Sequence, residues 1–195
     1  MANFVSRTIN GKWREGYALD IHTISSTPLG HNEFGRMQFD TKYSEIGDLL
    51  YKLKYNGDKR VVPEIVEAVE KLIKKWNPVV DILVPVPPST PRTVQPVLVL
   101  AEAISQRLSI LLAACVSRVR NIPQLKDVPD LDERLKLLDG LHAVNESATR
   151  GKRILLFDDL YRSGATMNAI TTELYEKGKA SEVFALTITR TRSNQ

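Results

Sequence analysis

The sequence predicts an α/β fold, a parallel sheet flanked by helices with a small β-rich elaboration at its amino-terminal end. Two patterns predict it. From about residue 44 onward, short apolar runs alternate with segments whose apolar residues recur at helical spacing. Such continuous strands suit burial on both faces beneath covering helices. Before that point, Asn10-Gly11 separates Phe4–Ile9 from a segment, Lys12–Ser25, rich in aromatic and β-branched residues. Asn-Gly between such runs is a hairpin signal, because both residues tolerate positive φ.

In chain order, a helix is expected from about Ser44 to Lys54. A second opens near Pro63, where a missing donor is harmless, and closes before Asn77-Pro78. Its residues Ile65, Val69, Leu72, Ile73 and Trp76 share one face. Ile82–Val86 reads as a buried strand, Val97–Leu108 as a helix, and Leu111–Val116 as a second strand. Ile154–Phe157 is a third strand, Met167–Lys177 a helix ending at Gly178, and Val183–Ile188 the last strand. The acidic stretch Asp127–Glu133 reads as a linker. These elements divide the chain into an elaboration or hood over residues 1–43 and an α/β core over 44–195.

The 195 residues suffice for one sizeable domain plus a small addition. A net charge of +4, with basic residues spread rather than run together, argues against nucleic acid as a direct ligand and suits a small polyanion. One cysteine, Cys115, lies in an apolar run, so an internal disulfide and a cysteine-rich zinc module are excluded. No apolar stretch is long enough to span a bilayer, and the start lacks a signal-peptide core. A cytoplasmic protein is expected. His22, His31 and His142 lack metal-ligand spacing. Trp13 and Tyr17 are expected to cover a sheet face, and Lys52 and Lys54 to be solvated helix-end charges.

The most informative segment is Arg153–Thr166. Apolar Ile154–Phe157 deliver Asp158 and Asp159 at the carboxyl end of a strand, where ligands bind in parallel sheets. Arg162-Ser163-Gly164-Ala165-Thr166 then enters a helix, whose first N–H groups and positive end make an anion site. Ser163 and Thr166 add hydroxyls, and Gly164 permits positive φ or close backbone approach. Carboxylates accept strongly from sugar hydroxyls. An acidic pair alone is often a solvated turn, but the joint pattern points to a sugar and a phosphate side by side.

Phe157–Thr166 resembles the phosphoribosyl pyrophosphate motif of type I phosphoribosyltransferases. That resemblance implies that Asp158 and Asp159 hold the ribose hydroxyls while Arg162, Ser163, Gly164, Ala165 and Thr166 cradle the 5′-phosphate. Arg162 departs from the small residue or Thr usual there. Two further segments resemble the ComF-like branch of the family. Val84-Pro85-Val86-Pro87-Pro88-Ser89, with Arg92 and Gln95, is similar to its pyrophosphate loop, although alone it reads as a proline-stiffened turn. Arg118–Lys126, with Arg134 beyond, is similar to the loop that closes over the diphosphate; alone it reads equally as a solvated face. The branch's amino-terminal four-cysteine module is absent. So are the Gly and Asn that usually follow the pyrophosphate-loop arginine, where Thr93-Val94-Gln95-Pro96 stands instead.

The resemblance implies a type I phosphoribosyltransferase-like core that binds phosphoribosyl pyrophosphate and a small-molecule acceptor, with a nitrogen nucleophile and commonly a homodimer. Arg118, Arg120 and Lys126 are then the diphosphate-stabilising groups, and Val86, Pro87, Pro88, Ser89 and Arg92 contact substrate. A Mg²⁺ ion bridged by substrate near Asp158 and Asp159 is implied as cofactor, with no direct protein ligand assigned. The same resemblance leaves open a non-catalytic nucleotide sensor or an accessory protein of DNA uptake or processing.

Overall fold

A computed structural model describes residues 2–123, 128 and 130–192. The chain opens with β1 (Arg7–Thr8), β2 (Glu15–Ile21), β3 (Thr23–His31) and β4 (Met37–Tyr43). Helices α1 (Glu45–Asn56) and α2 (Val62–Trp76) lead to β5 (Ile82–Pro85), α3 (Pro96–Leu108), β6 (Leu111–Leu112) and β7 (Val116–Arg118). Then come α4 (Leu131–Leu138), β8 (His142–Val144), the single turn α5 (Glu146–Thr149), β9 (Arg153–Tyr161), α6 (Ala165–Glu176) and β10 (Glu182–Arg190).

The central sheet has the order β1-β2-β10-β9-β5-β6, parallel throughout except for the β1–β2 pair. This is the expected α/β architecture. Alternation along β9 sorts its residues: Leu155 and Phe157 face a core shared with α1, α2 and α3, while Ile154 and Leu156 face α6. The β-rich character expected for residues 1–43 is present and serves two sheets. β1 and β2 extend the central sheet, whereas β3 and β4 pair only with each other. As expected, Trp13 is buried, and Tyr17 packs edge-on against Trp76 with ring centroids 4.9 Å apart.

Four expectations are corrected. The β1–β2 connection runs over residues 9–14, closed by the Ile9 N–H on the Gly16 carbonyl, and neither Asn10 nor Gly11 has positive φ. The run Leu111–Val116 is not one strand. Leu111–Leu112 extends β5 at the sheet edge, and Val116 begins a separate ribbon in which β7 pairs antiparallel with β8. The third apolar strand continues through the acidic pair to Tyr161, because β10 stays alongside it as far as Arg190. Of the expected linker Asp127–Glu133, residues 127 and 129 lie outside the described residues, and the stretch is helical from Leu131, with Asp130 accepting the Glu133 N–H at 2.7 Å as an N-cap does.

Candidate functional site

From β5 the chain passes through α3 to β6 on one side, while from β9 it passes through α6 to β10 on the other. The strand order therefore reverses between β5 and β9, the place where open parallel sheets form a ligand crevice beyond their carboxyl ends. Two prolines open it. The Val86 N–H makes the last ladder bond, 2.8 Å to the Phe157 carbonyl. Pro87 and Pro88 carry no N–H, so β5 cannot follow β9 further, and the edge of β9 from Asp158 onward is uncovered. The result is a cleft of about 490 Å³.

Into this cleft the fold brings Val86, Pro87, Pro88, Ser89, Arg92, Arg118 and Arg134 from one side, and Asp158, Asp159 and Arg162–Thr166 from the other. All the proposed phosphate-loop residues are among them. Gly164 adopts φ 73° and starts α6 without a side-chain cap, so the helix's first N–H groups lack a capping acceptor. The Gly164 conformation has a second cause beyond positive φ: a Cβ there would meet the Tyr161 ring at 2.7 Å. Tyr161 is itself held, its hydroxyl donating to the Asn10 carbonyl at 3.0 Å and its ring meeting Trp13 edge-on. Lys12 completes this brace through its N–H on Asn168 Oδ1 at 2.7 Å. The amino-terminal loop thus supports the 162–166 loop from behind.

The acidic pair is divided by strand alternation. Asp159 falls on the face covered by α1, and there it meets Lys54, whose Nζ lies 2.7 Å from Asp159 Oδ2. Both side chains are mostly buried, 17% and 14% exposed. The expectation that Lys54 is a solvated helix-end charge is overturned. Helix α1 ends on Gly57 at φ 66°, its last turn closed by Gly57 and Asp58 N–H groups on the Lys52 carbonyl. That cap stops α1 at the cleft mouth with Lys54 and Tyr55 on the lining. Nothing in Lys54-Tyr55-Asn56-Gly57-Asp58 alone distinguishes this from an ordinary basic helix end. Lys52, by contrast, pairs with Asp48 on the surface, as a solvated charge would.

Asp158 Oδ1 accepts the Asp159 N–H at 2.8 Å. Its carboxyl is pushed well above the usual carboxylate range, first by desolvation and then by the neighbouring Asp159 charge. One ion pair to Asp159 does not fill the cleft, whose lining among the described residues holds five cations (Lys54, Arg92, Arg118, Arg134 and Arg162) against two acidic side chains. That balance suits a polyanion with a hydroxylated part.

Arg118 reaches across the cleft, its Nη1 donating to the Ser89 carbonyl at 2.9 Å, while its Nε is buried and unpartnered among the described residues. Opposite it on the β7–β8 ribbon is His142, a histidine left aside by the sequence reading; it is buried on the cleft wall, and burial followed by the Arg118 charge lowers its pKa to about 4. Arg120 is not brought to the cleft. Its guanidinium donates to the Leu137, Asp139 and Gly140 carbonyls and closes the end of α4. Lys126 lies outside the described residues. Arg92 lies over the Tyr55 ring, 5.7 Å from its centroid. Among the described residues, no three His, Cys, Asp or Glu side chains converge as a metal site, and no helix is long and apolar enough to cross a membrane.

Comparison with known proteins gives three results. No family profile matches the chain. Among solved structures, similarity extends to adenine phosphoribosyltransferase of Saccharomyces cerevisiae, 11% identical over 84% of each chain with a TM-score of 0.45. The enzyme of the same name from Thermoanaerobacter pseudethanolicus is 12% identical over 85% of this chain and 95% of that one, again with a TM-score of 0.45. In sequence, the chain is 27% identical over 149 residues to the competence protein ComFC of Bacillus subtilis, covering 73% of this chain. It spans 59% of that relative's length. By sequence the chain is therefore similar to a ComF protein, the branch to which residues 84–89, 118–126 and 157–166 point.

Proposed function

We propose that the chain is a phosphoribosyltransferase, binding phosphoribosyl pyrophosphate and transferring its ribosyl group to a nitrogen acceptor. The observation that supports this reading is the meeting, in one crevice at the strand-order switch, of an acidic pair, an uncapped helix start and a basic wall. The 5′-phosphate sits on the N–H groups that open α6, and the ribose hydroxyls donate to Asp158 and Asp159. The diphosphate lies toward Arg118 and the 86–89 turn. The acceptor's lone pair attacks C1 as the C1–O bond to pyrophosphate breaks; the bonding electrons leave with pyrophosphate and the nitrogen releases its proton. With no protein nucleophile required, catalysis rests on positioning and on charge placed where the leaving group develops.

Mg²⁺ fits this chain only as an ion carried largely by the substrate, because Asp159 already spends one oxygen on Lys54 and no third ligand converges among the described residues. Held so, it would neutralise charge on the departing diphosphate. Titration calorimetry with phosphoribosyl pyrophosphate tests the reading, together with pyrophosphate release across a panel of nitrogen bases. Binding and release support it; no measurable binding at millimolar ligand would overturn it. The similarity to a protein named for competence favours a second reading, an accessory role in DNA handling. Absence of pyrophosphate release alongside a salt-dependent shift of labelled single-stranded DNA would favour that one.

A further inference from the structure

The β3–β4 ribbon stands apart from the central sheet. Its strands pair only with each other, and residues 26–31 and 33–40 are all exposed. Leu29, Phe34, Met37 and Phe39 project from it, Phe34 to 79% exposure. A two-stranded ribbon alone is marginally stable in water, and an open edge offers its backbone groups to another strand. The two edges are not equivalent. β3 contains the extra residue of both register shifts, Ile24 and Leu29, together with Pro28, which has no N–H, and Gly30 at φ 102°. Bulges and proline blunt an edge. β4 runs from Met37 to Tyr43 without bulge, proline or glycine, and its outer edge pairs with no strand among the described residues.

The side chains along β4 select the strand that fits there. Arg36, just before β4, alternates onto one face with Gln38 and Asp40, while Met37 and Phe39 share the other. Arg36 and Asp40 stand about 13 Å apart along the strand, too far to pair within one chain. Neither side chain has a hydrogen bond or ion pair among the described residues. An antiparallel copy of β4 centred on Gln38 sets Arg36 opposite Asp40 twice and Met37 opposite Phe39 twice, each pair on a single face. Centring on Phe39 sets Arg36 against Lys42, and centring on Asp40 sets that carboxylate against its own copy. Centring on Thr41 also matches Asp40 with Lys42, but it drives each ribbon's tip past the other's root, where β4 gives way to α1 at Glu45. The Gln38 register stops each tip level with the other's root.

We propose that β4 is the contact through which two copies of this chain associate, joined antiparallel about Gln38 into a four-stranded sheet. A two-fold axis makes the interface isologous, so each Arg36–Asp40 contact occurs twice. The second ribbon supplies the neighbouring strands that an isolated hairpin lacks, and the two Met37–Phe39 pairs add apolar cross-strand contact. At the root, Tyr43 stacks on Tyr51 with ring centroids 5.1 Å apart, which anchors the joined sheet on the helix that carries Lys54 to the cleft.

Sedimentation velocity on the full chain over a dilution series tests this, with Arg36→Asp, Asp40→Arg and the two combined. The unaltered chain is expected to form a dimer. Either single substitution should raise its dissociation constant roughly tenfold or more, because two attractive cross-strand pairs become two repulsive ones. The combined variant exchanges the charges and should return the constant to within about threefold. Gln38→Cys, on the axis, should link two copies by a disulfide under mild oxidation, whereas Thr41→Cys should not. The native Cys115 is buried and does not compete. A chain that stays monomeric throughout the series overturns the inference. So does a dimer indifferent to the charge substitutions, or one that crosslinks through Thr41→Cys in preference to Gln38→Cys. Should a charge variant fail to fold, the two cysteine variants decide between the registers.

Discussion

The two sides of the cleft hold their groups by different means. On the β9–α6 side, the acidic pair stands on a strand hydrogen-bonded to β10 through Tyr161, and the 162–164 loop is one turn between that strand and a helix. On the β5–β7 side, the arginines stand on short or irregular backbone, and their side chains are positioned by bonds to carbonyl oxygens: Arg118 to Ser89, Arg134 to Val128, Arg120 to the end of α4. Regular backbone fixes direction through strand alternation and helix register. Side chains tied to carbonyls are fixed only while those loops hold their shape. The first wall is therefore preformed and the second adjustable, so on the proposed function substitutions should act on binding more severely on the first.

The largest effect is expected from Asp158→Asn with Asp159→Asn. Removing both acceptors should weaken phosphoribosyl pyrophosphate by roughly tenfold or more, since the charge-assisted bond to Asp159 alone contributes about 1.5–3 kcal/mol. Calorimetry measures this; undiminished affinity would remove the sugar assignment. The fold should survive, because Asp158 is desolvated and its charged form is disfavoured. Its raised pKa also carries a sign. The native state binds that proton more tightly than the unfolded chain, so the stabilisation is full below the ordinary carboxylate pKa and is lost as pH rises through the raised one. The melting temperature without ligand should therefore fall as pH climbs out of the carboxylate range toward neutrality, with a shallower fall in Asp158→Asn. An identical pH dependence in that variant would contradict the assignment.

On the adjustable wall, Arg118→Ala should weaken phosphoribosyl pyrophosphate by roughly tenfold, the value of one charged hydrogen-bonding group in a partly open site. Affinity for ribose 5-phosphate should hardly change, because the proposed pose puts only the diphosphate beside this arginine. A matching loss for both ligands would mean that Arg118 shapes the 86–89 turn through its bond to Ser89 rather than meeting the leaving group.

How legible each wall is follows from the same difference. Arg153–Thr166 could be read because its information is local: an apolar strand, two carboxylates and a glycine entering a helix are contiguous. The partners of those groups are not local. Lys54 lies 105 residues from Asp159, and Asn10 lies 151 residues from Tyr161; each looked unremarkable at its own position. On the other wall, periodicity misled at Leu111–Val116, since an apolar run says nothing of which sheet it joins, and here the chain changes sheets within it. The basic run from Arg118 reads from sequence as a closing loop or equally as a solvated face, yet β7 ends at Arg118, which lines the cleft, and the irregular chain beyond it leaves Arg120 on the end of α4.

A smaller effect is expected at the hinge between strand and helix on the preformed wall. Gly164→Ala places a methyl 2.7 Å from the Tyr161 ring in a left-handed conformation, and the ring cannot yield freely while Asn10 and Trp13 hold it. The strain should cost about 1–2 kcal/mol in thermal or urea unfolding. Affinity for inorganic phosphate or ribose 5-phosphate should fall by several-fold as the first turn of α6 shifts. Adding Tyr161→Ala should relieve the clash but leave the φ penalty, so recovery is partial; full recovery of stability would show that backbone conformation contributes nothing there.

The smallest effect separates the two arginines of the adjustable wall. Arg120→Ala removes three donors from the carboxyl end of α4, whose carbonyls then rely on water. Because Arg120 is exposed, the loss should be no more than about 1 kcal/mol of stability. It should also appear first as faster amide exchange in α4, whose last residue Leu138 packs with Leu141 beside Ala165 at the start of α6. Phosphoribosyl pyrophosphate affinity should change by less than about twofold, against roughly tenfold for Arg118→Ala. If instead the two substitutions weaken the ligand alike, Arg120 must leave the end of α4 on binding, and the adjustable wall extends beyond β7.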